Sequence, residues 1–349
     1  MRRSRLGNAE TPARAIDGGR RARRPSRLRL LQIGLTLLAV AALIYVVDWQ
    51  SFLATLTSAN PRLLALGLGL LMIDRVLMSY KWGLLLKVQR ADLPLWENCG
   101  IYSLVTLAGM LLPATIGGDI VRTGWLWRRG LAASAAAASI ALERVIGFAV
   151  ALAFAGAGLT FLAGQATTAL DLKPLLAITL LAFIGVLLAL FLSFRVPSGW
   201  LPERLVGGRF GAKLAGLLGR LHTAYVAYRT RRGLIFGFAM LTVAEYLLII
   251  LTTFVIARAL GIQVGVVYFG AALAVALVIA RLPIAIDGIG VFEGAFVLLL
   301  AWAGVPPAAT VALAVTARFL LLLSCAPPAL LLLCRTPLRL QDLSRPLER

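Results

Sequence analysis

Leu112-Pro113-Ala114-Thr115-Ile116-Gly117-Gly118 returns as Leu282-Pro283-Ile284-Ala285-Ile286-Asp287-Gly288, and Val121 and Val291 extend the match to Leu-Pro-x-x-Ile-x-Gly-x-x-Val. Each copy follows an apolar run and precedes a charged residue, Arg122 in the first and Glu293 in the second. Proline removes a backbone donor and glycine favours non-helical backbone, so each copy is expected to break a helix. At membrane depth such breaks are tolerated only where protein or a water-filled cavity satisfies the freed peptide groups. Two broken helices at corresponding places in two halves point to the central site of a transporter built from inverted repeats.

The rest of the chain supplies the membrane. Its 349 residues are 60% hydrophobic and 14% charged, with a mean hydropathy of +0.90, whereas soluble domains carry about a quarter charged residues. Several apolar runs reach the ~18–20 residues needed to cross ~30 Å of hydrocarbon. The expected fold class is therefore all-α, a polytopic integral membrane protein. The net charge of +20 has a topological reading, because ten of the 35 Lys and Arg lie within residues 1–29 and most others fall in short loops. Cytoplasmic loops collect such charge. The basic tail has no aromatic residue to stack on bases, so nucleic acid is not expected as a partner. Cys99, Cys325 and Cys334 form no CxxC pair, and His222 is the single histidine, so neither a metal nor a cofactor is expected.

Charge and apolar runs together order the chain. Residues 1–28 read as a disordered cytoplasmic tail and about 29–47 as an uncleaved first span. Further spans are expected at about 62–87, within 131–164, and at 174–194, 233–257 and 308–334, making six crossings. The segments 97–117 and 267–287 are expected to be re-entrant hairpins. Were 97–117 a full span, Arg122, Arg128 and Arg129 would sit in a short external loop, against the positive-inside bias. The stretch 131–164 exceeds one straight span, so a kink or tilt is expected. Lys81, Lys87 and Arg90 place the end of the second span on the cytoplasmic side. Residues 203–232 carry Leu and Tyr at helical spacing opposite Arg209, Lys213 and Arg220, the pattern of an interfacial amphipathic helix. The halves, about 62–164 and 233–334, are expected to be inverted. The tail 336–349 returns the C-terminus to the cytoplasm.

Charges inside spans cost ~2.5–3.5 kcal/mol each on insertion scales and normally face a partner or a cavity. This chain keeps six acids and five arginines there: Asp74, Arg75, Asp119, Arg122, Glu143, Arg144, Glu245, Arg281, Asp287, Glu293 and Arg318. Arginine grips phosphate with a planar fork, and Arg122 follows a Gly-Gly turn, so it is the first candidate for a lipid phosphate. Asp119 is expected to orient it, and Arg75 and Glu245 to be structural partners. Glu143 and Arg144, as neighbours on a helix, point apart and should not pair. No Walker loop, HExxH or GxSxG turn is present, so no enzyme is expected.

Pro113-x-x-x-Gly117-Gly118-Asp119-x-x-Arg122, then Glu143-Arg144, then Asp287-Gly288-x-Gly290-x-x-Glu293 and Arg318, resemble the flippase-like membrane domain shared by lysylphosphatidylglycerol synthases and stand-alone membrane proteins, over roughly residues 30–335. The resemblance implies an inner-membrane protein that translocates or handles phospholipids or other lipid-linked molecules. It assigns lipid head-group binding to Gly117, Gly118, Asp119, Arg122, Glu143, Arg144, Gly290, Glu293 and Arg318. The sequence departs from the family at Ile284-Ala285-Ile286-Asp287, where a smaller, glycine-rich turn is usual. It also ends about 15 residues beyond the last span, so the aminoacyl-transferase half of the synthases is not expected. Membrane lipids are the expected partners, with a lipid-modifying enzyme as a further one. The rival readings are a membrane-embedded glycosyltransferase-type enzyme acting on lipid-linked sugars, and a structural accessory to a lipid-modifying enzyme.

Overall fold

Proline stands in the first turn of three of the long helices. In α2 (Pro61–Val88) the Asn60 side chain accepts from the Arg62 and Leu63 N–H groups, and Pro61 takes the first helical position, where its missing donor costs nothing. The computed structural model describes residues 47–111, 117–165, 171–195, 222–282 and 288–336, together with Tyr45 and Arg220. Among these residues the α-helices run in the order α1 (Trp49–Thr57), α2, α3 (Leu95–Leu111), α4 (Gly117–Arg128), α5 (Ala133–Ala163), α6 (Lys173–Ser193), α7 (Arg232–Ala259), α8 (Val266–Ala280), α9 (Val291–Ala301) and α10 (Pro307–Arg335), and a 3-10 turn at Ala227–Thr230 precedes α7.

Five of them, α2, α5, α6, α7 and α10, are long and apolar enough to cross a membrane. The protein is an all-α polytopic integral membrane protein. Helix α6 shows why lipid is required: Ile178, Leu181, Ile184, Leu188 and Phe191 all face outward, a surface far too apolar for water. The expected first span, 29–47, lies outside the described residues except at its end. So do both copies of the opening motif at 112–116 and 283–287, and residues 203–219 of the expected amphipathic helix with Arg209 and Lys213. The described remainder of that helix docks on protein: Tyr228 is buried and donates to the Leu85 carbonyl at 3.0 Å, while Gln89 donates to the Ala224 carbonyl at 2.8 Å.

The stretch expected to kink or tilt is one continuous helix, α5, of 31 residues. Its first turns, Ala133-Ser134-Ala135-Ala136-Ala137-Ala138, are mostly strong helix formers without proline, so nothing in them interrupts the ladder.

The helices of the two halves match in order and length. The first half gives 28, 17, 12 and 31 residues in α2–α5, and the second gives 28, 15, 11 and 29 in α7–α10. Packing crosses between them: α2 lies on α7, α3 on α10, and α5 on α8. Helices α2 and α7 run antiparallel, since Asn60 N–H at the start of one bonds to the Ala259 carbonyl at the end of the other, at 2.8 Å. Where α5 crosses α8, a Cβ on Gly158 would lie 2.9 Å from the Ala271 carbonyl, so only glycine permits the approach. The apolar core fills the space among α5, α7, α8, α9 and α10, with Phe254, Phe269, Phe296 and Phe292 in ring contact.

The two short helices of each half meet at their outer ends. Glu97 near the start of α3 meets Trp125 and Arg129 at the far end of α4. Tyr268 near the start of α8 bonds to the Leu299 carbonyl near the end of α9 at 3.0 Å. In the second hairpin Gly288 takes φ +68°, and a Cβ there would lie 2.8 Å from the Ala280 carbonyl, so the chain returns onto the end of α8 at a position only glycine fits.

Candidate functional site

The hairpins bring the membrane charges together in two kinds of setting, one dry and one open. In the dry setting Arg122 enters from α4 between two rings, its guanidinium carbon 4.2 Å from the Trp82 ring centre and 4.5 Å from that of Tyr102. Its Nη2 donates to Glu143 Oε2 at 2.7 Å, and the Tyr102 hydroxyl donates to the other oxygen of the same carboxylate. Only 5% of the Arg122 side chain is exposed. Four helices, α2, α3, α4 and α5, thus meet on one guanidinium. The residue that the repeated motif puts opposite Arg122 is Phe292, which stacks on the fully buried Phe296 in the ring contacts of the other half. One half therefore packs on a charge where the other packs on a benzene ring.

Beside this set, Lys81 of α2 pairs with Glu245 of α7, donates to Thr242 Oγ1 at 3.1 Å and lies over the Phe238 ring. The charge of Lys81 reaches Glu143, and that of Glu143 reaches Glu245, so the two pairs form one electrostatic cluster. Arg75 bonds to Asp74 at 2.5 Å and contacts Thr106. Several expectations change here. Arg75 and Glu245 are not partners. Lys81 is buried in the bundle rather than marking a cytoplasmic end. Glu97 is buried too, and holds Trp125 Nε1 at 3.0 Å and Arg129.

The open setting contains two acid–arginine pairs in the same register. Asp119, third residue of α4, bonds to Arg144, twelfth residue of α5, at 2.5 Å. Glu293, third residue of α9, bonds to Arg318, twelfth residue of α10, at 3.2 Å. Asp119 therefore holds Arg144 rather than Arg122, and Glu143 and Arg144 face different ways, about 100° apart, as adjacent helix positions do. These arginines are accessible, with 57% of the Arg144 and 31% of the Arg318 side chain exposed. Glycines fix the acids. A Cβ on Gly118 would come within 2.6 Å of Val105 Cγ1, which seats the start of α4 on α3. Gly117 opens α4. Gly290, at φ +80°, donates its N–H to Glu293 Oε2 at 2.7 Å, leaving Oε1 for Arg318.

A family described as lysylphosphatidylglycerol synthase TM region matches residues 29–328, nearly the whole chain and every residue of both settings. The chain belongs to this family. No curated protein matches it.

Within this member of the lysylphosphatidylglycerol synthase TM region family, all nine residues singled out in the sequence lie at the two hairpins or on the helices they pack against. They divide between the settings: Arg122 and Glu143 inside, and Asp119, Arg144, Glu293 and Arg318 at accessible positions. Trp82, Tyr102 and Lys81 were not legible as members. A mid-span acid such as Glu245 demands a base at matching depth, and Lys81 satisfies that demand. The two rings answer the same need for Arg122, because a cation over aromatic faces gains ~2 kcal/mol or more when dry.

Proposed function

We propose that this protein translocates or handles phospholipids, or other lipids with an anionic or zwitterionic head, by admitting the head group between two inverted halves. The observation that carries the reading is the repeated, accessible acid–arginine pair, Asp119–Arg144 and Glu293–Arg318, at the third residue after each helix break. Arginine that is already oriented by an acid and still open to solvent is suited to take a phosphate.

Other features support the inverted, re-entrant arrangement behind this reading. Equivalent helices α2 and α7 are antiparallel neighbours, as a two-fold axis in the membrane plane requires. Helices α3 and α8, with 17 and 15 residues, reach only ~25 and ~22 Å at 1.5 Å per residue, short of a full crossing. Each then turns back as α4 or α9. The dry cluster around Arg122 holds the first hairpin in place, and Arg122 acts on the head group through that positioning. The protein works without catalysing a covalent step, in a bacterial-type inner membrane with both termini in the cytoplasm.

The test is translocation of a head-labelled phospholipid in proteoliposomes, with Arg144→Gln and Arg318→Gln. Each should slow transport at least tenfold while changing the melting temperature little. Wild-type rates in both variants would refute the reading.

A further inference from the structure

Arg281 ends α8 immediately before the second helix break and belongs to neither set of ion pairs. Its Nη1 donates to the Gly147 carbonyl at 3.2 Å, and its Nη2 donates to the Tyr246 hydroxyl at 2.6 Å. The Tyr246 ring lies beneath the guanidinium at 5.8 Å and is itself stacked on Phe154. Gly147 is the fifteenth of the 31 residues of α5, and Tyr246 the fifteenth of the 28 of α7. Both partners are therefore at the middle of their helices, and the guanidinium is held between those midpoints.

Its environment differs from that of the other intramembrane arginines. Arg75, Arg122, Arg144 and Arg318 each have a carboxylate within 4 Å, whereas among the described residues Arg281 is held by neutral acceptors alone. A carbonyl and a phenol fix the direction of the fork without neutralising it. The residue is exposed, and a Cβ added at Gly147, whose carbonyl holds it, would meet nothing within 4 Å among the described residues. Arg144 lies one helical turn before Gly147, so two guanidinium groups line the same stretch of α5.

A positioned, exposed and un-neutralised cation held between the midpoints of two spanning helices is built to receive an anion. We propose that Arg281 is the receptor for the phosphate of the lipid head group at the midpoint of its passage. This rests on the lipid-handling reading above and adds to it a substrate class, lipids whose head carries a phosphate. It also adds a third arginine, which the second hairpin contributes to the open setting. Passage from Arg144 or Arg318 to Arg281 would let one guanidinium take the phosphate before another releases it.

The experiment is head-group binding by the purified full chain in detergent, read as thermal stabilisation. Dihexanoyl phosphatidylglycerol, dihexanoyl glycerol and inorganic phosphate are titrated against wild type, Arg281→Gln, Arg281→Lys and Tyr246→Phe. Wild type should be stabilised by the phospholipid and not by the phosphate-free glycerol lipid. Arg281→Gln should weaken the half-saturating concentration at least tenfold, and Arg281→Lys should recover part of it. Tyr246→Phe, which removes one hydrogen bond and no charge, should weaken it two- to fivefold. That variant carries the test if Arg281→Gln fails to fold. Equal affinity in wild type and Arg281→Gln overturns the proposal, as does equal stabilisation by the phosphate-free lipid. Inorganic phosphate as potent as the phospholipid would overturn the lipid source in favour of a free anion. The binding assay is separate from transport. A protein that binds as described yet does not translocate keeps this site and loses the transport reading, and Arg281-independent binding with Arg144-dependent transport does the reverse.

Discussion

Truncating Arg122 to alanine removes the cation bonded to Glu143 Oε2 and leaves that carboxylate facing Tyr102 inside four packed helices. Breaking a buried pair by deleting one partner costs about 3–5 kcal/mol, because the surviving charge stays dry. The contacts with the Trp82 and Tyr102 rings, 4.2 and 4.5 Å from the guanidinium, add about 1–2 kcal/mol. At about 2 °C per kcal/mol for a large domain, the melting temperature should fall by roughly 8–14 °C. The companion change is diagnostic. Arg122→Gln with Glu143→Gln removes both charges and should restore at least half of the loss, whereas Arg122→Gln with Asp119→Asn should restore none, since Asp119 is bonded to Arg144. Differential scanning fluorimetry on detergent-purified protein measures all three variants. A stable Arg122→Ala protein that has lost transport would refute the reasoning and make Arg122 a direct ligand. So would rescue by the Asp119 change.

Three further outcomes are expected. Gly288→Ala forces alanine into φ +68° and within 2.8 Å of the Ala280 carbonyl, so it should destabilise by at least ~1–2 kcal/mol. Gly124→Ala, inside α4 with open space around it, should be neutral or stabilise by up to ~1 kcal/mol, and thermal melts of the two variants give opposite signs if the hairpin geometry is right. The Asp48 carboxyl, which accepts from the Ser51 hydroxyl and the Gln50 N–H at the start of α1, is held below its ordinary value by those bonds. Its contribution is present above the unfolded carboxyl range and lost as pH falls through the lowered folded value. The first-turn amides of α1 should therefore exchange faster only below about pH 4, and Asp48→Asn should abolish that pH dependence. For topology, a single cysteine replacing exposed Gly130, in a background lacking Cys99, Cys325 and Cys334, should resist an impermeant external reagent while one at Gly304 reacts. External labelling at 130 would overturn the re-entrant first hairpin.

The sequence alone determined what depends on composition and local chemistry. Apolar length at Pro61–Val88, Lys173–Ser193 and Arg232–Ala259 dictates spanning helices, because a backbone in lipid must satisfy itself. The Leu-Pro-x-x-Ile-x-Gly copies fall between α3 and α4 and between α8 and α9, pairs of short helices whose outer ends meet. Adjacent Glu143 and Arg144 had to diverge, since helix neighbours lie about 100° apart. Partner choice was a different matter. Asp119 is three residues from Arg122 in sequence and yet bonds to Arg144. Lys81 looks like a helix-end lysine and yet neutralises Glu245 across 164 positions. Such pairings depend on the depth at which antiparallel α2 and α7, and α4 and α5, lie against each other, and residue order does not carry that register. For the same reason only the tertiary structure divided the arginines into Arg75 beside its neighbour Asp74, Arg122 buried between rings, Arg144 and Arg318 accessible beside acids, and Arg281 on neutral oxygens.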